Sequence, residues 1–206
     1  MAKVPLSHDD RIRIRQAVAS AEARTSGEIF VVVAEESDDY RFIPLLWATI
    51  AALVVPLPLI GLTTIPASLI YLAQLAVFIV LAVVFSLPAV KPAIVPTMVK
   101  RTTARGVAVQ QFLAHGLHTT EARTGVLVFV SLAERYAEII ADAGISAQVD
   151  NAVWKVSMAK LTDEIRAGRL ADGLIVAIES TGAQLTRHFP RRANDRNELP
   201  NDLVIL

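Results

Sequence analysis

Polar and apolar positions mix in short blocks along most of this chain, but from residue 42 to residue 90 the mixing stops and 49 consecutive residues carry no charge. A bilayer core of about 30 Å is crossed by about 20 helical residues, so the run suits two crossings joined by a tight turn. That turn is expected at Gly61-Leu62-Thr63-Thr64-Ile65-Pro66, a cluster of chain breakers. Pro44, Pro56, Pro58 and Pro66 predict a first span less regular than the second, which is placed at residues 67–87, and a shallow re-entrant first half is the alternative. Thr49, Ser68, Gln74 and Ser86 are the polar interruptions of the spans; none is ionisable, which argues against a transporter or pump.

The flanking segments show soluble-domain periodicities. Ser7, with Asp10 three residues on, marks the start of a helix that runs to about Arg24 and presents Ile12, Ile14, Val18, Ala19 and Ala23 as its apolar stripe. Thr25-Ser26-Gly27 ends it, and residues 28–34, β-branched and without polar alternation, predict a buried central strand. The same order returns after the run: a helix over residues 97–115 ending at Gly116, then a buried strand at 126–130. Residues 136–142 predict an antiparallel partner for that strand. Helices are expected over 148–166 and 170–188, the second read as helix over strand because Leu170, Leu174, Ile178 and Leu185 form a helical stripe. Asp142 reads as turn chemistry, Asp150 as an early helix residue suited to the dipole, and Trp154 as core or surface anchor. Residues 190–201 form a polar tail, and beyond it Leu203-Val204-Ile205-Leu206 are apolar enough to dock.

Charge refines this picture. The 20 basic and 20 acidic residues balance, which gives no reason to expect nucleic acid, and the absence of cysteine excludes disulfides and thiolate metal sites. No signal-peptide core is visible in the first fifteen residues, so the hairpin itself is expected to direct insertion. Arg41 precedes the run and Lys91, Lys100, Arg101 and Arg105 follow it, with no acid before Glu121, while the turn carries no charge. Basic residues near a span stay cytoplasmic. The expectation is therefore a multi-pass protein of the inner (cytoplasmic) membrane, with residues 1–41 and 91–189 as two parts of one cytoplasmic domain, 42–90 as a transmembrane hairpin and 190–206 as a tail.

Candidate chemistry gathers where the two buried strands end. If they are parallel, their carboxyl ends bring Glu35, Glu36, Ser37, Asp38 and Asp39 close to Ser131, Glu134 and Arg135, the kind of edge at which open α/β sheets bind ligands. Asp38, Asp39 and Glu134 are the candidate ligands of a hard cation, Ca²⁺ or Mg²⁺, and Arg135 a candidate contact for an anion. No catalytic set is assigned: there is no glycine-rich phosphate loop, GxSxG elbow or HExxH pair. His115 and His118 flank Gly116 and read as a helix end.

Taken in order, the Leu6-Ser7 helix, Thr25-Ser26-Gly27-Glu28-Ile29 with Val31-Val32-Val33, Arg123-Thr124-Gly125-Val126-Leu127, Ser131-Leu132-Ala133-Glu134-Arg135, Glu138-Ile139-Ile140-Ala141-Asp142 with Gly144, and Gly168 followed by Asp172-Gly173-Leu174 resemble the TPM domain family, of the thylakoid-lumen and photosystem-repair-factor type. The chain looks like a membrane-anchored bacterial-type member. The resemblance implies an α/β/α sandwich around a small mixed sheet, here interrupted by a two-helix transmembrane hairpin. It also implies divalent-metal binding, acid phosphatase activity, or assembly and repair of membrane complexes. Two departures stand out: the strand and aspartate that precede the Leu-Ser helix in the family are missing, and the membrane segment lies inside the domain. The expected function is an accessory, interaction or divalent-metal-binding module of a membrane complex, partnered by the bilayer and a membrane protein; the alternative is a metal-dependent phosphatase acting on phosphate esters.

Overall fold

The computed structural model describes residues 4–192 and 196–206, and they form two compact units. Residues 1–37 with 101–206 make one, residues 38–100 the other.

In chain order the first unit opens with α1 (His8–Glu22) and β1 (Glu28–Ala34). The intervening unit holds α2 (Phe42–Val54), α3 (Pro56–Leu62), α4 (Ala67–Ser86), the single turn α5 (Lys91–Ile94) and the start of α6 (Thr97–Ala114). The chain then continues through a 3₁₀ turn at Leu117–Thr119 to β2 (Gly125–Ser131), β3 (Tyr136–Ala141) and α7 (Ala143–Ser146). It closes with α8 (Asn151–Arg166), α9 (Leu170–His188) and β4 (Leu203–Ile205).

The domain is built on a four-stranded mixed sheet in the order β3-β2-β1-β4. β1 and β2 are parallel from Glu28 against Gly125 to Ala34 against Ser131; β4 lies parallel on the far side of β1, and β3 antiparallel outside β2. Both central strands are buried along their whole length, which is why they lack polar alternation. Ile29, Val31 and Val33 of β1, with Val126, Val128 and Val130 of β2, face one core that holds Ile14 and Val18 of α1, Leu161 of α8 and Leu174 and Ile178 of α9. Phe30, Val32, Leu127 and Phe129 face the opposite way, onto Ala104, Ala108 and Phe112 of α6. The result is the expected α/β/α sandwich. Parallel neighbours need a crossover, and here α6 is the helix of that crossover, so the hairpin is inserted between β1 and α6 without disturbing the βαβ unit.

Local signals explain most element ends. Ser7 and Asp10 form a reciprocal capping box: the Ser7 hydroxyl accepts from the Asp10 N–H at 3.1 Å, and Asp10 accepts from the Ser7 N–H at 3.0 Å. The Ser7 hydroxyl also donates to Asp10 Oδ2 at 2.7 Å, and this bond, with that from the Ser7 N–H, holds the Asp10 carboxyl below its ordinary pKa. Of the expected stripe on α1, Ile14 and Val18 are buried but Ile12 is 38 % exposed and Ala19 also faces solvent; Ala21 takes the place in the core. At Ala21 the contact with α9 is small on small: a Cβ on Gly182 would stand 2.6 Å from that of Ala21. α8 begins at Asn151, not at 148, because Asp150 caps it, accepting from the Ala152 N–H at 2.7 Å. Asp142 similarly caps α7, accepting from the Ala143 N–H. The 170–188 segment is helical, and Leu170, Leu174, Ile178 and Leu185 all lie on its buried side. Trp154 is core.

In the hairpin unit, residues 42–62 and 67–86 form two segments long and apolar enough to cross a membrane. The first is broken at Val55, where α3 begins with Pro56. α2 and α4 pack through Ala48, Ala52 and Ile70, small side chains on α2 that let helices approach without a polar seam. Their outer faces are bare hydrocarbon, with Leu53 of α2 and Val83 of α4 each 61 % exposed. Hydroxyls within the helices are satisfied internally, Thr49 on the Leu45 carbonyl and Ser86 on that of Ala82.

Candidate functional site

β1 and β2 end side by side, and hydrogen bonding carries their pairing past the strands: Leu132 N–H donates to the Ala34 carbonyl and Ala133 N–H to that of Glu35, both at 3.0 Å. This continuation places Ser37 over the end of β2. Its N–H lies 3.2 Å from each carboxylate oxygen of Glu134, and its hydroxyl 2.9 Å from that of Ser131. Ser131 in turn donates a short hydrogen bond to Glu134 Oε2. Ser131 is fully buried and Glu134 is 8 % exposed. A buried carboxylate is tolerable only with such donors around it, and Glu134 has them because the tight turn after β2 folds it back over Ser131.

The next residue completes that turn. Arg135 adopts φ +51°, in the left-handed region that costs an L residue about 1 kcal/mol. Its N–H donates to the Leu132 carbonyl, and its exposed side chain borders a cleft of about 490 Å³ with Ser131, Tyr136, Thr162 and Arg166. Arg166 is paired on the surface with Asp163 at 3.3 Å. Two guanidinium groups on one cleft can take an anion. Arg135→Gly should leave the unfolding free energy within about 1 kcal/mol of the parent, since the strain removed offsets the entropy of a freer unfolded chain. Inorganic phosphate should raise the melting temperature of the parent but not of this variant; an equal rise in both would remove Arg135 from the anion site.

The other candidates make local contacts. Asp38 and Asp39 belong to the hairpin unit. Asp38 accepts from the Tyr40 N–H at 2.9 Å, and Asp39 pairs with Arg41 at 2.5 Å. Glu35 accepts from the Val4 N–H, and Glu36 is exposed. Among the described residues no three His, Cys, Asp or Glu side chains converge to hold a metal ion. Hard divalent cations take six or more oxygens, water among them, and among the described residues no protein-built cluster of that kind is present. His115 closes α6 and stacks on Phe30 with ring centroids 4.3 Å apart.

One buried acid carried no sequence signal. Glu22, the last residue of α1, accepts from the Ile29 N–H at 2.8 Å, a donor of β1 that the three-residue β4 is too short to reach. Burial, reinforced by the neighbouring Glu28 charge, pushes its carboxyl up to about 8.

A parallel βαβ unit inside a three-layer sandwich, with an apolar hairpin spliced into the crossover and a polar cleft at the carboxyl edge, defines the class of the protein. A TPM domain is found at residues 90–184, from the end of the hairpin unit to α9. The fold is similar to the NMR structure of BA42 protein from the psychrophilic bacterium Bizionia argentinensis, with TM-score 0.64 and 19 % identity over 100 % of this chain and 99 % of that one. No curated protein matches the chain.

Proposed function

We propose that the chain is an integral, multi-pass protein of the inner membrane whose TPM domain stands on the cytoplasmic side and serves as an accessory module of a membrane complex. The insertion of the hairpin between β1 and α6 carries this reading. Both ends of the hairpin are covalently tied to one folded domain, so an even number of crossings leaves the domain on one side. Arg41, Lys91, Lys100, Arg101 and Arg105 lie beside those ends and the turn is uncharged, which favours the cytoplasm for the domain. The Arg135 cleft is the place where such a module would take an anionic group. A divalent cation on Asp38, Asp39 and Glu134 has no converging ligand set to support it, and phosphatase chemistry through such an ion is not assigned.

The native chain has no cysteine, which makes topology simple to read. Thr64→Cys in the turn and Lys160→Cys on α8, both at exposed positions, are introduced separately and treated with a membrane-impermeant maleimide. Cysteine 64 should label in right-side-out vesicles and cysteine 160 only in inverted ones. Labelling of both from one side would replace the spanning hairpin with a re-entrant one, and the opposite pattern would invert the orientation.

A further inference from the structure

The two edges of the sheet are treated differently. At one edge the C-terminal residues add themselves as a strand: β4 pairs with β1, the Leu206 N–H donates to the Val33 carbonyl, and the Leu206 carbonyl accepts from the Glu35 N–H. At the other edge, β3 has a neighbour only on its β2 side. The Asp142 N–H donates to the Gly125 carbonyl at 2.9 Å, and the register pairs Val126 with Ala141 and Val128 with Ile139. In an antiparallel ladder hydrogen-bonded and non-bonded pairs alternate, so the N–H and C=O groups of Ala137, Ile139 and Ala141 point away from β2. The Ala141 carbonyl accepts from the Ser146 hydroxyl at 3.2 Å. Among the described residues the outward groups of Ala137 and Ile139 meet no protein partner.

This edge is also recessed. A groove of about 570 Å³ runs along β3, with Arg105 and Val109 of α6 on one wall and Trp154, Lys155 and Met158 of α8 on the other. Trp154 is 5 % exposed, yet its indole N–H has no acceptor. Arg105 is occupied by Glu138 at 3.2 Å, whereas Lys155 makes no ion pair among the described residues.

We infer that this groove is a strand-addition site, in which β3 receives an extended segment of a partner protein, apolar on the residues that face Met158 and Val109 and acidic toward Lys155. The outward N–H and C=O groups of Ala137 and Ile139 accept only a chain that offers alternating carbonyls and N–H groups, which is an extended strand. The flanking helices narrow the choice further, since a segment that pairs with β3 must lie along the groove lined by α6 and α8. The tail strand β4 shows the same sheet completing its opposite edge with a three-residue extended segment. The inference goes beyond the membrane reading and does not need it, because the groove is the same on either side of the bilayer.

The test uses the full chain in lipid nanodiscs and a displayed library of random ten-residue peptides. Ala137→Pro removes one outward N–H without touching the β2–β3 ladder. Enriched peptides should be proline-poor and alternating. They should slow hydrogen exchange at Ala137 and Ile139 and lose at least tenfold in affinity on Ala137→Pro. Methylating alternate amides of a synthetic binder should abolish binding to the unaltered protein, an arm that does not depend on a variant folding. The proposal is overturned if no peptide is enriched, if binders are indifferent to Ala137→Pro and to methylation, or if β3 is instead occupied by a second copy, seen as a concentration-dependent dimer that Ala137→Pro dissolves.

Discussion

Between pH 5 and pH 9 the domain is expected to lose about 2–5 kcal/mol of unfolding free energy through one side chain, and Glu22→Gln is expected to abolish that loss. Burial disfavours the charged form of Glu22, and the Glu28 charge adds to this; the Ile29 N–H, which favours the carboxylate, offsets only part. The folded chain therefore holds its proton up to about pH 8, whereas the unfolded chain releases it near the ordinary value of 4.5. Within that window the folded state binds more protons, so stability falls as pH rises. The contribution is fully present below about 4.5 and gone above about 8. Glutamine keeps an acceptor for the Ile29 N–H and is neutral throughout, so the variant should match the parent at pH 5 and exceed it at pH 9. Thermal unfolding across this range decides the matter: parallel profiles for parent and variant would show that Glu22 ionises in the fold at its ordinary pH.

Elements whose signal is local were legible in the sequence, and those that depend on distant pairing were not. β1 could be read because six successive apolar residues after Glu28 with a helix before them fit only a doubly covered strand, and α1 because its capping box lies within four residues. The hairpin declared itself by the length of its uncharged run. α9 was ambiguous at Gly173-Leu174-Ile175-Val176, and helical spacing over a longer window resolved it. β4 was not readable as a strand: three residues after a polar tail gain their structure only from Val31, Val32 and Val33, about 170 positions away. The carboxyl edge was legible as a place, with Ser37, Ser131, Glu134 and Arg135 on it, since β1 and β2 are indeed parallel, but the contacts made there were not. Ser37 and Ser131, the residues that engage Glu134, depend on how the pairing continues past each strand, and Arg166 and Thr162 come to the cleft from a helix whose rotation no short motif encodes. Glu22 was invisible for a related reason, because its burial follows from the shortness of a strand formed at the other end of the chain.

Glu134→Ala is expected to lower the unfolding free energy by about 3 kcal/mol, and Glu134→Gln by about 1–2 kcal/mol. The carboxylate accepts from the Ser37 N–H and the Ser131 hydroxyl, and Ser131 is fully buried. Alanine leaves those donors facing a void, which costs their desolvation as well as the lost bonds. Glutamine restores one acceptor but turns an N–H₂ toward groups that themselves donate. Because Ser37 is the last residue of the domain before the chain enters the hairpin unit, the same change should free the connecting segment. Limited proteolysis should then cut between residues 36 and 41 several times faster in Glu134→Ala than in the parent. Ser131→Ala should be strongly non-additive with it, with a coupling above about 0.5 kcal/mol, because both remove members of one network. Additive costs, or an alanine penalty below about 1 kcal/mol with unchanged proteolysis, would show that the Ser37–Ser131–Glu134 cluster is a surface arrangement and not a latch that holds Ser37 on the carboxyl edge of the sheet.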